Sequence, residues 1–351
     1  MALLRPERLH ELGEAVFRAA GASPENAARV TEALVDANLA GHDSHGVQHI
    51  PGYVRSIKEG LIVADARPAV LRETPVTALV GGGWTFGQVA AEYATRCAVG
   101  KAKQAGMAAV GVVQVNHVGR LGEYAEIAAR EGVIALIAAG GFAEERGQAV
   151  PFGGARAALG TNPIAMGFPT GRGEPMFLDF ATTAVAAGKI AVARAKGLPL
   201  PEGALVDREG RPTTDPNAYY DGGALLPFGG HKGYALSMAV EFLGRVVTGS
   251  ETFATEGRGG PYFARSGTMI LAFDPGAFGP SEAYRRRSDA TIARIKAVPP
   301  AAGFQEVLVP GEPEQRSRLE RQRDGIPLPA ATWEAIRDCA TSLGLPDPGE
   351  A

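Results

Sequence analysis

The chemistry most available to this 351-residue chain belongs to its six histidines: His10, His42, His45, His49, His117 and His231. His10 reads as a surface residue of a first helix. The others stand in breaks rich in Gly, Asn or Asp, or at the starts of elements. An imidazole titrates nearest neutrality, so it is the natural group to hand a proton to a carbonyl under reduction, or to take one from an alcohol under oxidation. His45 leads the candidates. The hydroxyl of Ser44 precedes it, and Gly46 follows, which lets a backbone or a ligand come close. The alternative is a histidine that caps a helix beside Asp43. His117 sits in Val115-Asn116-His117-Val118-Gly119, between an expected buried strand and an expected helix. Ligands of α/β proteins lie beyond the carboxyl ends of strands, and a helix start offers free N–H groups to an anion. Helix capping is the alternative there too.

Other groups add to this set. Asp179 closes the apolar Met176-Phe177-Leu178. A carboxylate at the end of a buried strand needs a partner; an imidazolium would suit, and so would nearby N–H groups. Gly160-Thr161-Asn162-Pro163 presents a hydroxyl and an amide on a turn, either as turn chemistry or as a substrate cradle. His231-Lys232 opens an apolar helix after Gly229-Gly230, a setting that suits a phosphate or carboxylate. His42, His45 and His49 would share one face of a continuous helix and could hold a metal, but Gly41 and Gly46 interrupt it, so no metal centre is expected. Arg316, Arg318, Arg321 and Arg323 read as a solvated helix face.

The elements that must position these groups follow from periodicity. Residues 5–60 read as three helices. Leu9, Leu12, Val16 and Phe17 mark the first; Ser23-Pro24-Glu25 caps a second that ends near Gly41; a third runs from about residue 51 to 59. Strands are expected at 70–72, 76–80, 107–115, 133–139, 174–180, 268–273 and 304–309. Helices are expected at 86–105, 119–131, 185–196, 231–247, 280–298, 313–323 and 331–344, and a long loop at 197–230. Valine-rich runs alternating with helices indicate an α/β (α+β) layer. The expected division is a helical part over 1–75, an α/β domain over 76–279, and a helical part over 280–351 that packs with the first.

Composition sets limits. Apolar residues make up 45% and charged residues 21%, with a net charge of −3, so no basic excess exists for a nucleic-acid backbone. The 47 glycines and 25 prolines, about a fifth of the chain, imply many specified turns. Two distant cysteines, Cys97 and Cys339, suggest neither a disulfide framework nor a zinc ribbon, and a cytoplasmic setting is expected. No apolar run is long enough to span a membrane. The G-x-G-x-x-G dinucleotide fingerprint, a P-loop, HExxH and a G-x-S-x-G elbow are all missing.

Taken together, Asp43-Ser44-His45-Gly46, Asn116-His117-Val118-Gly119, Gly160-Thr161-Asn162-Pro163, Leu178-Asp179-Phe180-Ala181, His231-Lys232-Gly233-Tyr234 and Pro310-Gly311-Glu312 resemble, in order, the non-Rossmann malate/L-lactate dehydrogenase family. Within it, the chain looks most like the hydroxycarboxylate dehydrogenase B branch. The resemblance implies a mixed-sheet NAD(P)-binding domain of its own kind, a homodimer, and hydride transfer between the cofactor and a 2-oxo acid. NAD is expected from the branch, with NADP possible. His45 would give the proton, supported by Ser44 and Asp179, with His117 sharing the pocket. Gly119, Arg120, Leu121, Met176, Phe177, Leu178, Asp179, His231, Lys232, Gly311 and Glu312 would hold the cofactor. His49, Tyr53, Arg120, Thr161 and Asn162 would face the substrate. His49 stands where many members carry an arginine, so the carboxylate needs another anchor; Arg120 is the candidate. Two other classes are weighed: a cyclic imino-acid reductase of the same fold, and a metal-dependent hydrolase on His42, His45 and His49. A binding module without catalysis would leave the histidines unexplained.

Overall fold

The computed structural model describes residues 2–141 and 147–349. Seven strands form its central sheet, in the order Ala69–Glu73, Thr77–Gly81, Met107–Val113, Gly267–Phe273, Ile134–Gly140, Ile164–Phe168 and Met176–Phe180. Thr77–Gly81 and Met107–Val113 run parallel, joined by the helix Gly87–Ala105; the other neighbours are antiparallel. The sheet is therefore mixed. Side-chain alternation explains why its inner strands read as continuous apolar runs. Ala135 and Ile137 enter the cluster under helices Gly87–Ala105 and Gly122–Arg130, while Leu136 and Ala138 meet Val240 of the helix His231–Glu241 on the other face. That second helix reaches the sheet where side chains are smallest. A Cβ on Gly244 would lie 2.5 Å from the amide nitrogen of Gly140. The single helix expected over 231–247 changes there to a π-helical turn over Phe242–Val246.

The chain ends meet. Ala2–Leu4 pairs antiparallel with Ile326–Leu328. Helices Pro6–Ala19, Pro24–Leu39, Ile50–Lys58 and Ala330–Ser342 enclose one apolar cluster that includes Phe17, Leu34, Ile50, Trp333 and Ile336. Ser23 Oγ accepts the amide N–H of Asn26 and caps the second helix. Phe86 belongs to the same cluster and joins it to the sheet.

Three expectations are corrected. Residues 304–309 form no strand, because Phe304 and Leu308 face solvent with no sheet edge paired to them. The helix Ser281–Lys296 does not pack with the N-terminal helices. It buries only Ile292 and lies along the strand edge near Phe168 and Met176, where the amide of Gly171 donates to Asp289. The loop over 197–230 contains a small three-stranded sheet, Ala224–Leu225, Leu205–Val206 and Pro212–Thr213, closed by Leu205, Leu225 and Ile190.

The tightest junction between sheet and site is Gly87. A Cβ there would come within 2.4 Å of the carbonyl oxygens of Asn116 and His117. Gly87→Ala must push that loop away, and overpacking of this kind costs about 1–3 kcal/mol. Urea unfolding should show a lowered midpoint; an unchanged midpoint would contradict the packing described.

Candidate active site

Local chain geometry brings three histidines together. The helix Pro24–Leu39 ends at Gly41, whose φ of +85° reverses the chain. The next eight residues wind as two 3₁₀ turns, Asp43–His45 and Val47–His49, with extended Gly46 between them. Asn38 holds both turns: its Oδ1 accepts the amide of Val47 at 2.8 Å, and its Nδ2 donates to Asp43 at 2.6 Å. A Cβ on Gly46 would sit 2.1 Å from Asn38 Oδ1, so the glycine admits this amide rather than a ligand. The split also separates the i, i+3, i+7 histidines. His42 turns away to Glu314, with 3.3 Å between His42 Nε2 and the carboxylate. Among the described residues no cluster of His, Cys, Asp or Glu is arranged to hold a metal ion.

His45 and His49 lie against His117, which enters from the loop after Met107–Val113. The His45 and His117 rings stack with centroids 5.7 Å apart and planes 19° apart, and His49 is 5.0 Å from His117. Each ring has a fixed partner. Ser44 Oγ is 3.1 Å from His45 Nδ1; His49 Nε2–H donates to the Ser44 carbonyl at 2.8 Å; Tyr53 Oη is 2.7 Å from His117 Nδ1. Gln88 Nε2 in turn donates to Tyr53 Oη at 2.8 Å. Asn116 anchors the loop by donating to the carbonyls of Trp84 and Thr85. A cavity of about 110 Å³ opens beside His117 and Tyr53, walled by Leu61, Phe86, Gln88 and Phe263. Helix Ala187–Lys196 closes on Ser44, where a Cβ on Gly188 would come within 2.9 Å of Ser44 Cβ.

Burial and mutual repulsion keep the imidazoles neutral. Burial, then the charges of His49 and His42, then Arg120, depress His45 to about 4. Burial likewise pushes His49 down, against the pull of the Ser44 carbonyl. His117 falls well below the usual histidine range through burial and the neighbouring His49 and His45. Burial raises the Tyr53 phenol, so it keeps its proton.

Behind this cluster stands Arg120. Its Nη2 meets Asp36 at 2.8 Å and Glu126 at 2.9 Å, and its guanidinium lies 5.7 Å over the Phe177 ring. Its Nε and Nη1 are buried without a partner, as is Oε2 of Glu314. Asp179 does not meet an imidazole. Its Oδ2 accepts the amide of Gly122 at 2.7 Å, at the start of the helix Gly122–Arg130. Burial raises its carboxyl, and Arg120 and that amide oppose the rise. The N–H reading of Asp179 is the one the structure adopts.

The remaining sequence candidates are placed as follows. Leu121 and Phe177 are buried and Met176 and Leu178 half-buried. Gly119 and Gly311 adopt positive φ of +73° and +94°, and Gly311 packs on Phe177. Glu312 is engaged by Lys296 at 2.6 Å. His231 and Lys232 are exposed, with His231 edge-on to Phe152. Asn162 is fully buried at φ +38° and donates to the Ser237 carbonyl and to Glu241, while the Thr161 carbonyl accepts from Thr182. These bonds hold the turn, and Asn162 Oδ1 is buried without a partner. The solvated arginine face is corrected as well. Arg318 bridges Asp36 and Glu126, and Arg321 reaches Asp43 and the Asn38 carbonyl, because their helix lies on Pro24–Leu39. Sequence pattern does not distinguish Gln88, Asn38 and Asp36 as site residues. The signal for Gln88 is its position on the helix face shared by Ala91 and Thr95, all three buried.

The family model described as malate/L-lactate dehydrogenase matches residues 4–337. The chain belongs to that family. It is 38% identical to hydroxycarboxylate dehydrogenase B of Escherichia coli over 346 residues, 97% of this chain and 94% of that protein. Sulfolactate dehydrogenase from Methanocaldococcus jannaschii superposes with a TM-score of 0.89 at 35% identity, covering 98% of each chain. The delta1-piperideine-2-carboxylate reductase from Pseudomonas syringae pvar. tomato gives 0.84 at 32% identity, over 97% of this chain and 100% of that one. This chain builds that fold without the ordinary dinucleotide fingerprint.

Neutral histidines carry a stability signature. Unfolded, each ionises near about 6.5; folded, His45 resists down to about 4. Between these values the unfolded chain binds more protons, so stability is full above the upper value and falls as the pH drops toward the lower one. His45→Asn should reduce the slope of unfolding free energy against pH in that window. An unaltered slope would mean that His45 is not held neutral.

Proposed function

We propose that this dehydrogenase interconverts 2-oxo and 2-hydroxy acids, with His45 exchanging the proton at the reacting oxygen. The observation that carries this reading is the cluster of three neutral imidazoles, each with a fixed partner, of which His117 lines the cavity, with a buried guanidinium behind them. The site fits a nicotinamide dinucleotide. Buried donors on Arg120 and a buried acceptor on Glu314 lack partners, and phosphates and ribose hydroxyls are the groups that would satisfy them. Gly119, Arg120, Leu121, Met176, Phe177, Leu178, Asp179, His231, Lys232, Gly311 and Glu312 are the proposed holders, and the bound dinucleotide supplies or accepts the hydride.

This chain's own residues do the rest. Neutral His45 takes the hydroxyl proton of a 2-hydroxy acid as hydride leaves its carbon. In reduction the imidazolium returns that proton to the oxygen as hydride arrives. Ser44 fixes the ring through Nδ1. The carboxylate of the bound acid supplies negative charge beside His45, which raises its affinity for the proton when it is needed. His49 contributes no donor to that carboxylate, because its Nε2–H already serves the Ser44 carbonyl and a neutral ring has no second N–H. With the Arg120 donors given to the dinucleotide, the free nitrogen of His117 is the remaining anchor. Tyr53 acts through His117.

A second reading, reduction of a cyclic 2-imino acid, is favoured by the likeness to the piperideine-2-carboxylate reductase. The same proton donor would serve a ring nitrogen. Loss of absorbance from NADH or NADPH, with phenylpyruvate, oxaloacetate and piperideine-2-carboxylate as acceptors, separates the two. With the better acceptor, His45→Ala should lose about 10²–10⁴-fold in turnover while still binding the reduced dinucleotide. Turnover near that of the unaltered enzyme would remove His45 from the reaction.

A further inference from the structure

We propose that Gln88 is a positioning residue: through Tyr53 it fixes the tautomer of His117, so that His117 Nε2 carries the proton and receives the carboxylate of the substrate. The substrate half of this inference rests on the reading in the preceding section; the tautomer half stands on the structure alone.

The argument is a count of protons along three groups. Gln88 lies in the first turn of the helix Gly87–Ala105, buried, and its Nε2–H donates to Tyr53 Oη at 2.8 Å. A phenol has one proton to give. With an amide N–H already pointing at its oxygen, Tyr53 directs that proton to its other polar neighbour, His117 Nδ1, at 2.7 Å. A neutral imidazole that accepts at Nδ1 carries its proton on Nε2. Burial of the phenol keeps the proton on Tyr53, and burial among His49 and His45 keeps His117 neutral.

The orientation of the amide decides the direction of the whole chain. As it stands, one carbonyl oxygen, Gln88 Oε1, is buried without a partner. Reversed, the amide would leave both of its N–H groups buried without a partner, whereas as it stands one of them serves Tyr53. It would also turn the Tyr53 hydroxyl toward Gln88 and place the His117 proton on Nδ1, leaving a lone pair at Nε2. A lone pair repels a carboxylate where an N–H binds it. This matters here because His49 offers no donor of its own.

The test labels histidine with ¹⁵N and reads two-bond proton–nitrogen correlations in the whole protein near neutral pH. Wild-type His117 should show a pyrrole-type Nε2 and a pyridine-type Nδ1. In Gln88→Leu the two nitrogens should move toward a common average, because Tyr53 can then either donate or accept. In Gln88→Glu at alkaline pH the carboxylate can only accept, and the pattern should reverse. KM for the acid should rise about 10- to 100-fold in the reversed form, the scale of one hydrogen bond to a charged group, with a smaller change in kcat and unchanged affinity for the reduced dinucleotide. A wild-type proton on Nδ1, or variants that keep the wild-type pattern, would overturn the proposal. A reversed pattern with unchanged KM would overturn the assignment of the carboxylate to His117. Absence of turnover on every 2-oxo and 2-imino acid would instead overturn the preceding reading and leave the spectroscopic result standing.

Discussion

Three imidazoles whose centroids lie 5.0 to 5.7 Å along the path from His49 through His117 to His45 cannot all be charged, and a buried guanidinium stands behind them. Two unit charges at such a separation repel by about 3 kcal/mol at an effective dielectric near 20. This mutual exclusion governs the site. Beside burial, the larger cause, it holds His45 and His117 neutral in the free protein, leaves each ring dependent on a single oriented hydrogen bond, and leaves room for charge to arrive with an anionic substrate. A group whose proton affinity follows the presence of its substrate is suited to exchange a proton with it.

The fold exists around this constraint. His45 and His49 come from the helical part, and His117 from the sheet, so the cluster forms only where the two meet. Gly87 brings the sheet loop within touching distance of the helix that carries Gln88, and Asn38 ties the two 3₁₀ turns together. The ion network of Arg120, Asp36, Glu126 and Arg318 joins the helices Gly122–Arg130, Pro24–Leu39 and Glu312–Asp324. Buried networks of this kind are strongly destabilising to break, since removing one member strands the charge of another. Here the network also holds Arg120 with two of its nitrogens unpartnered.

Local pattern carried much of the fold. Ser23 and Pro24 mark a helix start in sequence and do so in structure, because capping is a matter of adjacent residues. Met107–Val113 reads as a strand buried on both faces because its valines leave no polar face. The three-residue strands at Ala2–Leu4 and Ile326–Leu328 are too short to show alternation, and 304–309, β-branched and apolar toward its end, finds no sheet edge. In the site, His45, His49 and His117 are legible by residue type and position in breaks, and Tyr53 through the family resemblance. Their partners are not, because they come from far along the chain. Gln88 meets Tyr53 from 35 residues away, and Asp36 meets Arg120 from 84. Asp179 shows the same limit: its need for a partner is evident in sequence, but the choice of the Gly122 amide is made by the helix packed against it.

The most direct measurement is a crystal structure with oxidised dinucleotide and a non-reacting amide analogue of a 2-oxo acid. The account predicts a His45 ring nitrogen about 2.6–3.2 Å from the oxygen at the reacting carbon, with His117 Nε2 against the carboxylate. An analogue whose reacting oxygen touches none of the three imidazoles would contradict it.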